Sequence, residues 1–565
     1  MGKFLPILLY TEFYDKELPK DMNNIFKYNA DSLVKILANI SAILYFDIKD
    51  SDRDTQLNIL GTIFSKVSLD KQKRLMDLFN TYTLQNATLI LFCIPTTIMA
   101  IGEVIKRCDP EKHEDIENEE NFQEELLDFI LYLNDIYFPN TTEKYSTDSY
   151  ENIWFNLLNQ QNYVRDRQKA NNVYPITAQF FCSFIYSRTD DGVKCIEEFC
   201  KYFGIRNFKG YILPFLHLLI NSLSEFKATR KTAFIVQTTD PNYQLLNRLS
   251  LSKIHLSDPD FSVHMKLVPN PFWKCTNGEI IIIDFNLLGF INDIGLIYNF
   301  YALTSLKIDP KLPDLGEYRS YLGKEYYEDF LADKLLKSLF NRKGSQVFHS
   351  KKIYFPDFTI VQDGKNLFFI EVKSSSINAK FLEKKKVEEF KKYLDSSYAS
   401  SKDVKDRNKG IYQLATSIEK FATTPLLDNL LSGIPKSKCR IYPIIIYTDN
   451  SLDVNGVNNY LNEKFTTAIN PFKDKVREVF PLVTVNMTFF ISNYSSLKTD
   501  KKFFRDCIRE FVKKTRNLST LYKKTGSLKT LWDSNISFHQ FISKRKNTLD
   551  NYKNIENDHF SDLTY

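Results

Sequence analysis

Glycine is scarce in this sequence, at 17 of 565 residues, and there are only three tryptophans and seven histidines. Eight cysteines (Cys93, Cys108, Cys182, Cys195, Cys200, Cys275, Cys439 and Cys507) lie scattered through apolar text with no C-x-x-C pair. Their spacing excludes a zinc ribbon and a disulfide framework, and leads us to expect a reducing, cytoplasmic setting. Helix-turn-helix, Walker A and zinc-finger patterns are missing, so neither ATP use nor a standard DNA-reading module is indicated. There is no internal repeat at solenoid spacing and no low-complexity tract. Long apolar runs are missing as well. The chain carries no charge between Asp77 and Glu103, but Asn86, Thr88, Pro95, Thr96 and Thr97 interrupt the stretch, so a buried core helix is expected rather than a membrane span. The opening MGKFLPILLYTEFYDKE has an apolar stretch of about seven residues, too short for a secretory core, and Pro6 spoils a myristoylation signal. No export signal or lipid anchor is expected.

What is present is a chain with 43% hydrophobic residues and a formal charge of 75 − 69 = +6. At roughly 150 residues per domain, the length suggests about three or four folding units, each able to bury a core. Lys, Asn, Ile, Phe and Tyr are all abundant, so only local concentrations of charge carry information. Residues 1–240 show apolar positions at helical spacing, as in Leu33, Ile36, Leu37, Ile40 and Leu44, and are read as an α-helical domain. Within them, Asp109 to Asp128 holds ten acidic residues against one lysine, and is read as a solvated loop and helix start, or else as a mimic of nucleic-acid charge or a partner contact. Residues 241–316 are mixed α/β, with Asn277-Gly278 as a hairpin turn between two β-like runs. Two prolines and a glycine between Lys307 and Gly316 mark a boundary. Residues 317–495 read as a helix (Tyr321 to Phe340), a strand pair (Ile353 to Val361 and Leu367 to Lys373), a Lys-rich insertion (Ala379 to Lys409), a helix near Gly410 to Phe421, a strand from Arg440 to Thr448 and an apolar run from Val483 to Ser492. Residues 496–565 form a basic helical segment.

The chemistry concentrates in YFPDFTIVQDGKNLFFIEVKSSS, beginning at Tyr354. With a three-residue loop at Asp363 to Lys365, residues whose numbers sum to 728 pair across the hairpin, which sets Asp357 beside Glu371. Strand alternation puts Glu371 and Lys373 on one face and Phe368, Ile370 and Val372 on the other. Two carboxylates about 4 Å apart repel by roughly 4 kcal/mol at an effective dielectric near 20, and a divalent cation relieves this. Lys373 is then placed beside a cation-bound water, where it can orient it and offset charge building on phosphorus. E-x-K and D-x-K also occur elsewhere, as at Glu225/Lys227 and Asp403/Lys405, but only the 371/373 pair ends an apolar strand after a Pro-Asp and a tight turn. At 100° per residue, Leu331, Ala332, Leu335 and Leu339 fall within about 60° of Glu328, so Glu328 is expected inside the apolar stripe facing the sheet, or at its edge if the helix is slightly rotated, with Glu325 as the fallback.

Pro356-Asp357, Glu371-Val372-Lys373 and the preceding Glu-bearing helix resemble the PD-(D/E)XK, or restriction-endonuclease-like, nuclease superfamily. The resemblance covers about residues 320–450. It implies an αβββαβ nuclease core with a mixed sheet within residues 317–495. It also implies a Mg2+ site (Mn2+ able to substitute) built from Asp357, Glu371 and Glu328, with Lys373 assisting the attacking water. Gln413 in KGIYQLATSIEKF resembles the glutamine that helps place the scissile phosphate in RecB-like members. The implied activity is hydrolysis of nucleic-acid phosphodiester bonds, DNA more than RNA, and a large chain of this layout looks like an antiphage defence or restriction effector. The helical N-terminal domain then offers a surface for a protein partner or oligomer. The competing reading is a non-catalytic nucleic-acid-binding or assembly protein that keeps the fold. From Lys498 to Lys546, fourteen Lys or Arg against four Asp or Glu, with Phe503, Phe504, Tyr522, Trp532 and Phe538 interleaved, suit phosphate neutralisation and base stacking, or else a solvated helix whose aromatics are core.

Overall fold

The fold is given by a computed structural model that describes residues 6–47, 52–85, 88–111, 114, 116, 121–138, 173–352, 354–375, 377, 387–401, 408–425, 428, 434–543, 555 and 558–560. The N-terminal half is helical because its apolar residues recur every three to four positions. Ala30–Phe46 begins at Asn29, whose side chain accepts the Ser32 N–H at 3.2 Å, and packs against Ile94–Arg107. The uncharged stretch supplies that second helix, with Pro95 in its first turn and Ile98, Ile101, Val104 and Ile105 fully buried. No helix among the described residues is long and apolar enough to cross a membrane. The described part of the acidic run has partners within the chain. Tyr28 donates to Glu125 at 2.8 Å, and Lys71 pairs with Glu124 at 3.2 Å and Asp128 at 3.0 Å. Residues 112, 113, 115 and 117–120 of that run lie outside the described residues.

A small sheet follows, built from β1 (Ile235–Val236), β2 (Ser250–Ser252), β3 (Phe272–Lys274) and β4 (Ile280–Ile282) in the order β1-β4-β3-β2. The expected Asn277-Gly278 turn joins antiparallel β3 and β4, with Gly278 at φ +87°, a conformation a glycine adopts without penalty. Trp273 on β3 is buried and donates its indole N–H to Asp31 at 2.7 Å, which ties this sheet to the first helices.

The larger sheet has β5 (Ser345–His349), β6 (Phe358–Gln362), β7 (Asn366–Lys373), β8 (Arg440–Tyr447), β9 (Glu478–Val479) and β10 (Val483–Asn486), in the order β10-β8-β7-β6-β5 with β9 also on β8. β5, β6 and β7 run antiparallel, and β8 lies parallel to β7. A continuous helical run from Leu315 to Phe340 precedes β5, and helices Val387–Tyr398 and Ile411–Thr423 connect β7 to β8. The chain is therefore mixed α/β, helical first and sheet-bearing later. Three details differ from expectation. The strand expected from Ile353, a residue outside the described ones, starts only at Phe358, because residues 354–357 belong to a turned connection closed by Ser350 N–H donating to the Asp357 carbonyl at 3.0 Å. β5 is an additional strand, hidden in the sequence because its five residues alternate only partly. The run from Val483 to Ser492 divides into β10 and a short helix, Thr488–Ser492. Residues 379–386 and 402–407 of the Lys-rich insertion lie outside the described residues.

Both sheet faces are covered. Phe368 and Ile370 share one core with Leu335, Leu339 and Phe504, while Phe369 on the other face packs with Phe390, Leu414, Ile418 and Phe421. The basic C-terminal helix, Phe503–Thr525, is thus a cover over the sheet: Phe504 stacks on Phe368 at 5.5 Å and 19°. Phe504 and Phe538 are core residues and cannot stack on bases, whereas Lys513, Lys514, Lys523 and Lys524 are exposed. Helices from the N-terminal half join the same core through edge-on ring packing, with Phe181 on Tyr326 and Phe184 on Phe330, both at 5.5 Å. The segment Ile294–Leu303 joins this core through Phe300, which packs edge-on against Phe181 at 5.5 Å.

Candidate active site

The site begins with a turn. Asp363 and Gly364 adopt φ values of +51° and +67°, and the loop spans three residues between the Gln362/Asn366 pair. The register that follows pairs Phe358 with Ile370, so the next position outward sets Asp357 against Glu371, as the sum of 728 requires. Asp357 Oδ2 accepts the Val372 backbone N–H at 2.8 Å. Glu371 is completely buried; its Oε2 accepts from Lys373 Nζ at 3.2 Å, its Oε1 receives no N–H or hydroxyl donor among the described residues, and Asp357 is its carboxyl neighbour. Burial above all, then the neighbouring Asp357 charge, pushes the Glu371 carboxyl well above the usual carboxylate range. Burial pulls the Lys373 ammonium down, but Glu371, Asp357 and Glu328 together outweigh it and leave Lys373 raised and charged.

The helical run before β5 is wound as a π-helix from Leu322 to Ala332. With i→i+5 hydrogen bonds it turns less per residue than the 100° assumed from sequence. Glu328 consequently sits at the edge of the apolar face, with 23% of its side chain exposed, rather than in the middle of the stripe. Burial raises its pKa, His349 opposes that, and Asp357 and Asp329 add to it. Glu325 instead pairs with Lys324 at 3.0 Å.

His349, the last residue of β5, is a member of the site that sequence reasoning misses. Its Nδ1 donates to Asp333 at 3.1 Å, and its Nε2 lies 3.3 Å from Asp329 and 3.9 Å from Glu328. The ring stacks on Phe358 at 4.3 Å. The Asp333 and Glu328 carboxylates lift its pKa to about 9 against the opposing effect of burial. One atom each of Glu328, Asp329 and His349 lies within 4.8 Å of the other two. The signal in the sequence is the acidic triplet Glu328, Asp329, Asp333 on one helix, which asks for a cationic neighbour.

Beside this cluster opens a cleft of about 1350 Å³. Glu328, Asp357, Lys373 and Gln413 all line it, so the structure gathers these four expected residues from a helix, a connection, a strand and a second helix. Glu371 lies just under the floor, between the lining residue Val372 and the buried end of β7. Gly410 starts the Gln413 helix at φ +58°, where a Cβ would fall 2.0 Å from the Tyr398 carbonyl oxygen; only glycine lets this helix approach so closely. Tyr298 and Arg319, from elements preceding the sheet, form part of the wall, and Lys351, Lys352 and Tyr354 of the β5–β6 connection form another part.

An orphaned buried carboxylate oxygen beside a second carboxylate is a donor set suited to a hard divalent cation such as Mg2+ or Mn2+. Compared with known proteins, the chain matches no protein-family model, no curated protein and no solved structure.

Proposed function

We propose that this chain is a magnesium-dependent nuclease, with residues 317–495 as a PD-(D/E)XK core. The observation that carries this reading is Glu371: a fully buried carboxyl with an unsatisfied oxygen, set across from Asp357 and hydrogen-bonded to Lys373 at the base of an open cleft. An acidic group in that state is costly as a structural feature alone. Asp357 and Glu371, with Glu328 beside them, would hold the cation. Such a cation, when bound, polarises a phosphoryl oxygen and acidifies water. The chain's own residues do the rest. Lys373 Nζ presents a fixed positive charge for the phosphate and its incoming water, and Gln413 offers an amide to orient the phosphodiester. Asp357, tethered through Val372 N–H, keeps its carboxylate aimed across the strand pair.

Incubating the full chain with labelled single- and double-stranded DNA and RNA, with Mg2+ or EDTA, tests the reading. Cleavage that needs Mg2+ and is lost in Asp357→Ala supports it. Binding without cleavage of any of the four substrates would replace it with a nucleic-acid-binding protein that keeps a nuclease-like fold.

A further inference from the structure

We infer that the cleft takes a single-stranded polynucleotide, with Tyr354 and Tyr298 as stacking faces for bases on either side of the scissile phosphate; this rests on the nuclease reading above and adds the substrate class. Three observations carry it. The first is Tyr354 itself. It has φ +72°, a region that a bulky aromatic residue rarely occupies, and it is 51% exposed at the lip of the cleft. Strain of this kind persists only where surrounding structure enforces it, and it clusters at ligand clamps. Here the enforcement is visible: the loop is pinned by Ser350 N–H to the Asp357 carbonyl at 3.0 Å and by Phe355 N–H to the Lys352 carbonyl at 3.2 Å. The loop ends on Asp357, so a base held on Tyr354 is three residues from the carboxylate.

The second observation is the opposite element. Tyr298 also lines the cleft, and Arg319 fixes it, donating to its hydroxyl at 2.6 Å with the guanidinium 5.1 Å from the ring centroid. Tyr354 has a comparable cation, Lys420 at 5.4 Å. Two aromatic rings braced by cations on separate walls suit bases that are unpaired and splayed, because each base offers a π-face irrespective of sequence. Paired bases inside a duplex offer none.

The third observation is size and charge. Six basic side chains line the cleft against four acidic ones, and two of those four, Glu328 and Asp357, belong to the candidate cation site. Lys352 and Lys409 are thus placed to follow a phosphate backbone, while Lys351 beside them is paired with Asp329. A duplex is a stiff cylinder about 20 Å across that rises about 3.4 Å per step. A cleft of about 1350 Å³ would hold scarcely more than one such base pair, but several nucleotides of one strand. The phosphate must also reach Lys373 beside the buried Glu371, which a flexible strand can do by bending inward.

The test is fluorescence anisotropy of the full chain in EDTA, with a fluorescein-labelled single-stranded 15-mer as DNA and as RNA, and a blunt duplex of the same sequence. The single strands should bind at least about tenfold tighter than the duplex. Tyr354→Ala should weaken single-strand binding about tenfold and leave duplex binding unchanged, while Tyr354→Phe keeps wild-type affinity. Tyr354→Gly, which relieves the backbone strain and removes the ring, should behave as Tyr354→Ala does, so a loss shared by both is a loss of stacking. In a strand carrying 2-aminopurine, fluorescence should be quenched by wild type and not by Tyr354→Ala. Equal or tighter duplex binding, or unchanged single-strand affinity in both Tyr354→Ala and Tyr354→Gly, overturns the inference. Mg2+-dependent duplex cleavage that still needs Asp357 would overturn it while leaving the nuclease reading standing; single-strand-selective binding with no cleavage would do the reverse.

Discussion

The Asp357 carboxylate accepts the backbone N–H of Val372 at 2.8 Å, so it is fastened to the residue that separates Glu371 from Lys373. The carboxylate pair and the ammonium are thereby held in one frame. The β6–β7 register that sets Asp357 against Glu371 is itself a consequence of the three-residue turn at the far end of the hairpin.

Asp357→Ala, Glu371→Gln and Lys373→Ala should each lower kcat by about 10²-fold or more, since each removes a preorganised charge at the reacting phosphate. Glu371→Gln is the diagnostic change. It keeps the shape and the oxygen that accepts from Lys373, and removes a carboxyl whose ionisation burial opposes. Its unfolding free energy should stay within about 1 kcal/mol of wild type while activity disappears. Chemical denaturation beside a cleavage assay measures both.

Mg2+ should raise the melting temperature of the wild-type chain in a saturable way, equivalent to about 2.7 kcal/mol at a hundredfold excess over Kd. Glu371→Gln should remove that response. Ca2+, with its looser coordination shell, should support nucleic-acid binding but little turnover. Differential scanning fluorimetry and a cleavage assay in each cation check this without relying on activity alone.

None of the residues of the C-terminal basic helix lines the cleft. Replacing Lys513, Lys514, Lys523 and Lys524 together with Gln should therefore leave nucleic-acid affinity within about twofold. Replacing Lys352 and Lys409 should weaken binding and flatten its salt dependence, by about 0.7 log unit on single strands for each phosphate no longer neutralised. Titrations at several salt concentrations distinguish the two sets.

That helix matters for stability instead. Phe504 is 1% exposed and stacks on Phe368 of β7, so Phe504→Ala should cost about 3–5 kcal/mol in a denaturant titration.

His559 has a pKa lowered to about 4, because burial disfavours its charged form and Lys334 repels it. Its ordinary value is 6.5, so between pH 6.5 and 4 the unfolded chain binds the extra proton and the folded chain does not. The His559 contribution to stability is thus fully present above about pH 6.5 and falls on acidification, by up to about 3 kcal/mol at pH 4. His559→Gln should show a shallower loss over the same window, read from unfolding curves taken at successive pH values.

Much of the hairpin is legible from residue order alone. Asp363-Gly364 favours a tight turn, strand side chains alternate, and from these two local rules Asp357, Glu371 and Lys373 follow without any distant neighbour. The same holds for the Asn277-Gly278 hairpin and for the buried helix Ile94–Arg107, whose first nine residues are the end of the uncharged stretch. What the sequence could not supply is everything set by packing between remote segments. Whether Glu328 reaches the cleft depends on the π-winding of Leu322–Ala332, which no angular rule for an α-helix contains. His349 meets Asp329 and Asp333 only because β5 returns alongside that helix. Tyr298 becomes a wall of the cleft only because helices of the N-terminal half share a core with residues 322–340. Phe504 and Phe538 of the C-terminal segment, equally suited by composition to bases or to a core, were claimed by the face of the sheet that carries Phe368 and Ile370, which needed cover from water, while Tyr522 and Trp532 lie half-buried against the core on the other face.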